Sequence, residues 1–284
     1  MKLEKINTLI AASRPRSRFG QSSLLVLLGL SALLGAFWAS PGRGPASDVL
    51  SWLLPQVLVT ALIAVVYLQW RRQRTMERLA SEATEAVQLQ DWLRAEELLC
   101  QVLGRPVRRA TLRTQGLLAL AAVADASHAH EGTETICRHI LDSGTGNVVQ
   151  RHTAEVALAG AMLKTGQITD AVDAVDRLTR KELPGPLRAQ VELLALFREV
   201  TMGHPDMSVA RAQERSDLFR TYLGTKAGYG YGLLAAAFDA IGQSGHARQC
   251  WHMATLLVPA ERLVDRFHEL GPIARRYPAA EHPV

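Results

Sequence analysis

Aromatic side chains make up only 6% of the 284 residues, and β-branched runs are scarce beside Ala, Leu and Arg. The abundant residues are helix formers, so the composition points to an all-α chain. Cysteine is limited to Cys100, Cys137 and Cys250, an odd and widely spaced set within apolar helical runs. No disulfide framework follows, which fits a reducing compartment, and each Cys reads as a small buried hydrophobe. Positive charge is also scarce over most of the chain, despite a net charge of +5 and a sequence pI near 9.4. Residues 1–75 hold nine basic and two acidic residues, leaving 23 basic and 25 acidic residues from position 76 onward. The larger part therefore has no electrostatic footprint for a phosphate backbone, and no nucleic-acid partner is expected.

Two uncharged apolar runs stand out, from Ser22 to Ala39 and from Val49 to Trp70. At 1.5 Å per residue they would extend about 27–33 Å, close to one hydrocarbon core. The fold expected from them is an N-terminal transmembrane helical hairpin, with Ser40 to Asp48 as its turn. Lys2, Lys5, Arg14, Arg16 and Arg18 precede the first run, and Arg71, Arg72, Arg74 and Arg78 follow the second. That asymmetry predicts a multi-pass protein of the cell (inner) membrane with cytoplasmic N- and C-termini. Trp38, Trp52, Tyr67 and Trp70 would lie at the headgroup layer. Bulky Phe37 and Trp38 make a poor cleavage site, so the first run reads as a retained span rather than a signal peptide. Ser31 has no base, since the first histidine in the chain is His128. Ser31 and Gly35 instead suit close helix approach, within the hairpin or in a homo- or hetero-oligomer. Pro55 and Gln56 read as a kink or helix start.

The expected domains are residues 1–75, carrying the spans at about 22–39 and 49–70, and residues 76–284, which form amphipathic helices. A small residue recurs after a polar turn, followed by apolar residues at helical spacing. It is Ala95 with Leu99 and Val102, and Ala171 with Val175 and Leu178; weaker copies centre on Thr133, Ala210 and Cys250. Their spacings of 38, 38, 39 and 40 residues are those of a repeat. Each copy follows an apolar helical stretch: Leu79 to Leu89, Leu112 to Ala126, Thr153 to Leu163, Leu187 to Met202 and Tyr231 to Ile241. Stacked helical hairpins of this kind make an α-solenoid. The units resemble tetratricopeptide repeats, most clearly at Gly166-Gln167 with Ala171 and at Asp91-Trp92 with Ala95. Pro106, Pro184 and Pro259 fall where that family often ends a unit. The resemblance covers residues 76–260, with a period longer than the roughly 34 residues of the family, and related helical repeats stay open. Glu261 to Tyr277 reads as a final capping helix.

Such arrays bind peptide or protein segments on the face lined by the first helix of each pair. The candidates on that face are Ala80, Thr84, Leu118, Ala122, Val156, Gly160, Ala195, Glu199, Ala235 and Asp239. They are mostly small, apolar or acidic, which argues against a clamp for a carboxylate. Partner-binding candidates are therefore Thr84, Leu118, Val156, Glu199 and Asp239, together with Tyr229 and Tyr231 in the glycine cluster Gly224 to Gly232. That cluster lacks the ending of a phosphate loop and is expected to loosen the start of the fifth hairpin. Lys164-Thr165-Gly166 sits at a helix end, where Gly is a routine stop. His128, His130, Cys137 and His139 do not match a common zinc spacing, and His246, Cys250 and His252 do not improve on them. No catalytic constellation, metal site or cofactor is implied. The expectation is a non-enzymatic, membrane-anchored adaptor with a groove for a peptide or helical segment, contacting the bilayer through residues 22–70. The alternative is an accessory subunit of a larger membrane complex in which the hairpin itself packs.

Overall fold

The computed structural model describes residues 2–15, 45–107 and 109–278, and every regular element among them is helical. The all-α expectation holds. The chain divides into two compact units, Met1–Gly132 and Thr133–Val284.

In the first unit, α1 (Leu3–Ala12) buries Ile6, Leu9 and Ile10, an i, i+3, i+4 stripe. This segment is a packed part of the fold, a role its basic flanks did not suggest. It docks on α3 (Trp92–Leu103), where Lys5 Nζ donates to Glu96 Oε1 at 2.7 Å. Buried Ser13 ends the helix: its hydroxyl donates to Ile10 O and accepts from Arg113 Nε, while its carbonyl accepts from Val107 N. The long α2 (Pro45–Gln88) packs on α3 and on α4 (Ala110–Ala126), burying Ala80, Ala83 and Ala86 at helical spacing.

The transmembrane expectation is overturned here. Among the described residues no helix is long and apolar enough to cross a membrane. The second apolar run is only one part of α2, a helix of 44 residues that continues unbroken through Arg71, Arg72, Arg74, Glu77 and Arg78 to Gln88. Beyond Trp70 the same helix packs Ala80, Ala83 and Ala86 against α3 and α4, so the run belongs to a longer packed helix rather than to a separate element. Pro45 to Asp48, expected in a hairpin turn, are helical within α2, which runs on through Pro55 without a new start there. The multi-pass inner-membrane localisation falls with the span. The first apolar run, Ser22 to Ala39, lies outside the described residues.

The second unit continues α5 (His130–Asp142) into α6 (Val148–Lys164), α7 (Ile168–Thr179), α8 (Gly185–Thr201), α9 (Pro205–Ala210) and α10 (Ala212–Tyr222). Then follow α11 (Ala227–Ala240), α12 (Ser244–Leu257), α13 (Ala260–Arg266) and α14 (Gly271–Arg276). A capping box starts α6, with Asn147 Oδ1 accepting from Gln150 N at 2.8 Å and Gln150 Oε1 accepting from Asn147 N at 3.0 Å. The expected single helix over Glu261 to Tyr277 is instead α13, a 3₁₀ turn at His268–Leu270 and α14. The break follows from Pro272, which has no amide hydrogen to continue a helix and so starts α14 instead.

Five tight turns carry the repeat. Each has one residue in the left-handed region: Gln90, His128, Gly166, Gly203 and Gly242, at φ between +56° and +79°. They stand 38, 38, 37 and 39 residues apart. The next amide in each turn reaches back five residues: Asp91 to Ala86 O, Ala129 to Ala124 O, Gln167 to Met162 O, His204 to Glu199 O and Gln243 to Phe238 O, at 2.9–3.0 Å. This is the Schellman closure, which satisfies a terminal carbonyl and reverses the chain at once. The second helix then starts two residues beyond the left-handed residue, at Trp92, His130, Ile168, Pro205 and Ser244.

Five residues beyond each left-handed residue stands a small buried side chain: Ala95, Thr133, Ala171, Ser208 and Ala247. The first three are the positions read from the sequence. In the last two copies the register shifts, from Ala210 to Ser208 and from Cys250 to Ala247. Paired helices close enough for a Schellman turn leave no room for a large side chain there.

The glycine cluster tightens α11 rather than loosening it. A Cβ on Gly228 would lie 3.0 Å from Ala254 O, and one on Gly230 would enter the ring of fully buried Phe219. Gly230→Ala therefore overpacks the core, costing about 1–3 kcal/mol, more than the roughly 1 kcal/mol that Ala gains over Gly in a helix. Gly245→Ala meets nothing within 4 Å and leaves stability unchanged or slightly raised. Urea denaturation followed by helical circular dichroism distinguishes the two.

Candidate functional site

The seven candidate contact residues occupy different settings. In the first unit, Thr84 Oγ1 donates to Ala80 O at 2.8 Å and accepts from Gln115 Nε2 at 3.2 Å, tying α2 to α4. Leu118 is half-buried on α4. In the second unit Val156 belongs to a core cluster with Ala159, Val175, Leu178 and Val191. Tyr231 is buried in a separate cluster around Phe219, Leu233 and Trp251, and half-buried Tyr229 meets Phe267 edge-on at 6.0 Å. Asp239 accepts from Tyr277 Oη at 2.8 Å and from Arg276. Ala80, Ala195 and Ala235 are buried, while Ala122 and Gly160 are half-buried.

Glu199 sits in a buried ion-pair knot between α8, α9 and α10. Arg215, 1% exposed, donates through both terminal nitrogens to the two Glu199 oxygens at 2.7 Å and through Nε to Glu192 Oε2 at 3.2 Å. Ser208, the small residue of the fourth crossing, donates to Glu199 Oε2 at 2.9 Å. Arg211 joins Glu192 Oε1 at 2.9 Å to Glu214. Burial pushes the Glu199 carboxyl up, but the Arg215 fork and Ser208 hydroxyl outweigh it and hold it below its ordinary range. Arg215 is desolvated as well, yet its two carboxylates raise it further. The sequence carried a signal for this knot that went unread: Glu192 and Glu199, seven apart on an apolar helix face, and Arg211 and Arg215, four apart on another.

Two cavities lie in the second unit. One of about 380 Å³ is lined by Leu178, Lys181, Arg188, Val191, Glu192 and Arg211, among others. Its cations already hold carboxylates: Lys181 pairs with Glu155 at 2.7 Å, and Arg188 and Arg211 pair with Glu214. The second, of about 390 Å³, is lined by Arg248, Trp251, His252, Thr255, Arg276, Tyr277 and Pro278, with no acidic residue among them. Arg248, Trp251, His252 and Thr255 share one face of α12 by their i, i+3, i+4, i+7 spacing.

His128 and His130 meet edge-on at 5.9 Å, and His130 Nδ1 lies 3.2 Å from Asp125 Oδ1. Cys137 is buried. Among the described residues no three His, Cys, Asp or Glu side chains are grouped to hold a metal ion. Compared with known proteins, the chain matches no family model, no curated protein and no solved structure. Its functional reading therefore rests on its own chemistry.

The longest run of exposed apolar side chains among the described residues lies on α2. Val59, Ile63, Val65, Val66, Tyr67, Leu68 and Trp70 are each between 48% and 62% exposed. Residues 63–70 are exposed at eight successive positions, more than two turns, so among the described residues nothing covers any face of this stretch. Arg74 closes it, its guanidinium 4.0 Å above the Trp70 ring.

Arg215→Met strips the guanidinium from two buried carboxylates and lowers the unfolding free energy by about 3–5 kcal/mol, read from urea denaturation. Because the Glu199 carboxyl is depressed in the folded state, its contribution is complete above its ordinary value of 4.5 and is lost as pH falls through the folded value. Stability measured from pH 6 to pH 3 accordingly falls less steeply in Glu199→Gln than in the parent chain. Burial pushes the Cys250 thiol up to about 11. At pH 7 about one part in 10⁴ is thiolate, so iodoacetamide labels Cys250 at least about a hundredfold more slowly than a free thiol, by mass spectrometry.

Proposed function

We propose that this protein is a non-enzymatic adaptor that works by binding another protein, with its helix-turn-helix units as the rigid support. The observation that carries the reading is the Val59–Trp70 stretch of α2. Contiguous apolar surface of this extent is costly in water and marks an interaction site. Exposure all round the helix means that one flat partner face cannot cover it. The fitting partner is a protein that supplies several apolar helices and packs them around α2, as in a bundle. The basic residues Arg71, Arg72, Arg74 and Arg78 just beyond the stretch would meet acidic side chains at that bundle's end.

The repeat is read as a divergent relative of tetratricopeptide repeats. The constant offset of five residues from the left-handed turn residue to the small crossing residue supports that reading, as does the period of 37–39 residues. In an adaptor, the packing of α2 on α3 and α4 within the first unit would hold its exposed stretch at a defined angle to them.

A photoreactive phenylalanine analogue at Val66, with another at exposed Glu97 as control, tests the proposal in cells. A discrete heavier adduct at position 66, absent at 97 and abolished by Ile63→Ser with Leu68→Ser, supports it. No adduct at 66, the same adducts at both positions, or an adduct of twice the chain's own mass overturns it.

A further inference from the structure

We propose that the cavity on the outer face of α12, beside the end of α14, is a binding site for a carboxylate. Trp251 lines this cavity and is only 2% exposed, yet its indole Nε1–H is buried with no hydrogen-bond acceptor among the described residues. A buried donor left unmade costs about 1–3 kcal/mol, so native structures rarely keep one without a use. The side chains beside it are donors too. The Arg248 guanidinium stacks 5.9 Å over the Tyr277 ring and has no hydrogen bond or ion pair among the described residues. Arg276 gives Nη1 to Asp239 Oδ2, which leaves the rest of its five-donor fork for a ligand. His252 and Thr255 complete the wall, the Thr255 hydroxyl being turned to His252 O at 3.0 Å.

Asp239 lies behind this wall and does the positioning. It accepts from Arg276 and from Tyr277 Oη, so the two side chains that close the cavity are held from one carboxylate. Burial raises the Asp239 carboxyl, but the hydrogen bonds from Arg276 and Tyr277 outweigh that and keep it below its ordinary range. The local charge then decides the ligand class. Two guanidiniums against one carboxylate leave a net charge near +1, which matches a carboxylate rather than a phosphate dianion. The volume of about 390 Å³ admits a side chain or a small acid. The site belongs to the second unit and α2 to the first, and its readout does not depend on the partner proposed for α2.

The test follows the Trp251 indole Nε1–H resonance in the ¹⁵N-labelled full chain, assigned by its loss in Trp251→Phe. The probes are a capped peptide of alternating Glu and Ala, its Gln counterpart, sodium acetate and inorganic phosphate. A saturable downfield shift with the Glu peptide alone identifies an acidic protein segment as the source; a shift with acetate as well identifies a free small acid as sufficient. Either supports the site if Arg248→Gln, a change at an exposed position, weakens binding by about tenfold or more. No shift with either carboxylate, an equal shift with the Gln peptide, or a response to phosphate alone overturns it.

Discussion

The closeness of paired helices is the constraint on which the rest of this structure depends. A Schellman turn reverses the chain within three residues, so the two helices it joins meet almost at once. The left-handed residue at its centre and the small residue five positions on are two expressions of that geometry. Where the left-handed residue is Gly the turn costs little, but Gln90 and His128 adopt the same conformation with a Cβ, at about 1–2 kcal/mol each. Their hairpins are held by packing: Ala95 and Leu99 beyond the first turn and Ile136 beyond the second are fully buried.

The helices that this turn spaces also determine where polar chemistry appears. At four crossings the small residue is Ala or Thr. At the fourth it is Ser208, whose hydroxyl feeds the Glu199–Arg215 pair. That hairpin differs in its second helix too, which breaks at Arg211 into α9 and α10. The fifth hairpin carries the orphaned Trp251 donor on its second helix and the Asp239 anchor on its first. The buried polar groups just named thus sit on the later repeats, where the sequence departs most from the plain small-and-apolar pattern.

Much of the fold was legible because helical repeats write themselves locally. The pattern around Ala95, Thr133 and Ala171 identified three hairpins to the residue. It misplaced the register at Ala210 and Cys250 because the flanking residues there, Ser208 and Arg211 in one copy and Gly245 and Ala247 in the other, blur which residue is the small one. The apolar run ending at Trp70 looked like an independent element, since hydropathy is read in a window and cannot see that the same helix continues through Arg71 to Gln88. The candidate contacts were chosen by spacing on the first helices, and spacing alone does not say whether an acidic residue faces water, as part of Asp239 does, or a buried arginine, as Glu199 does. The Trp251 cavity was not legible at all, because Arg276 and Tyr277 reach it from a segment separated from α12 by α13 and a 3₁₀ turn.

The Glu192–Glu199–Arg215 knot has a consequence for how this sequence can drift. Loss of any one member strands charge in a dry interior, whereas exchanging the whole set for apolar side chains of like volume is often neutral or favourable. Each single-step route from the knot toward an apolar set therefore passes through a less stable chain. Once assembled, such a cluster behaves as a ratchet: it persists because it is hard to dismantle one residue at a time, whether or not it still serves the fold better than oil would.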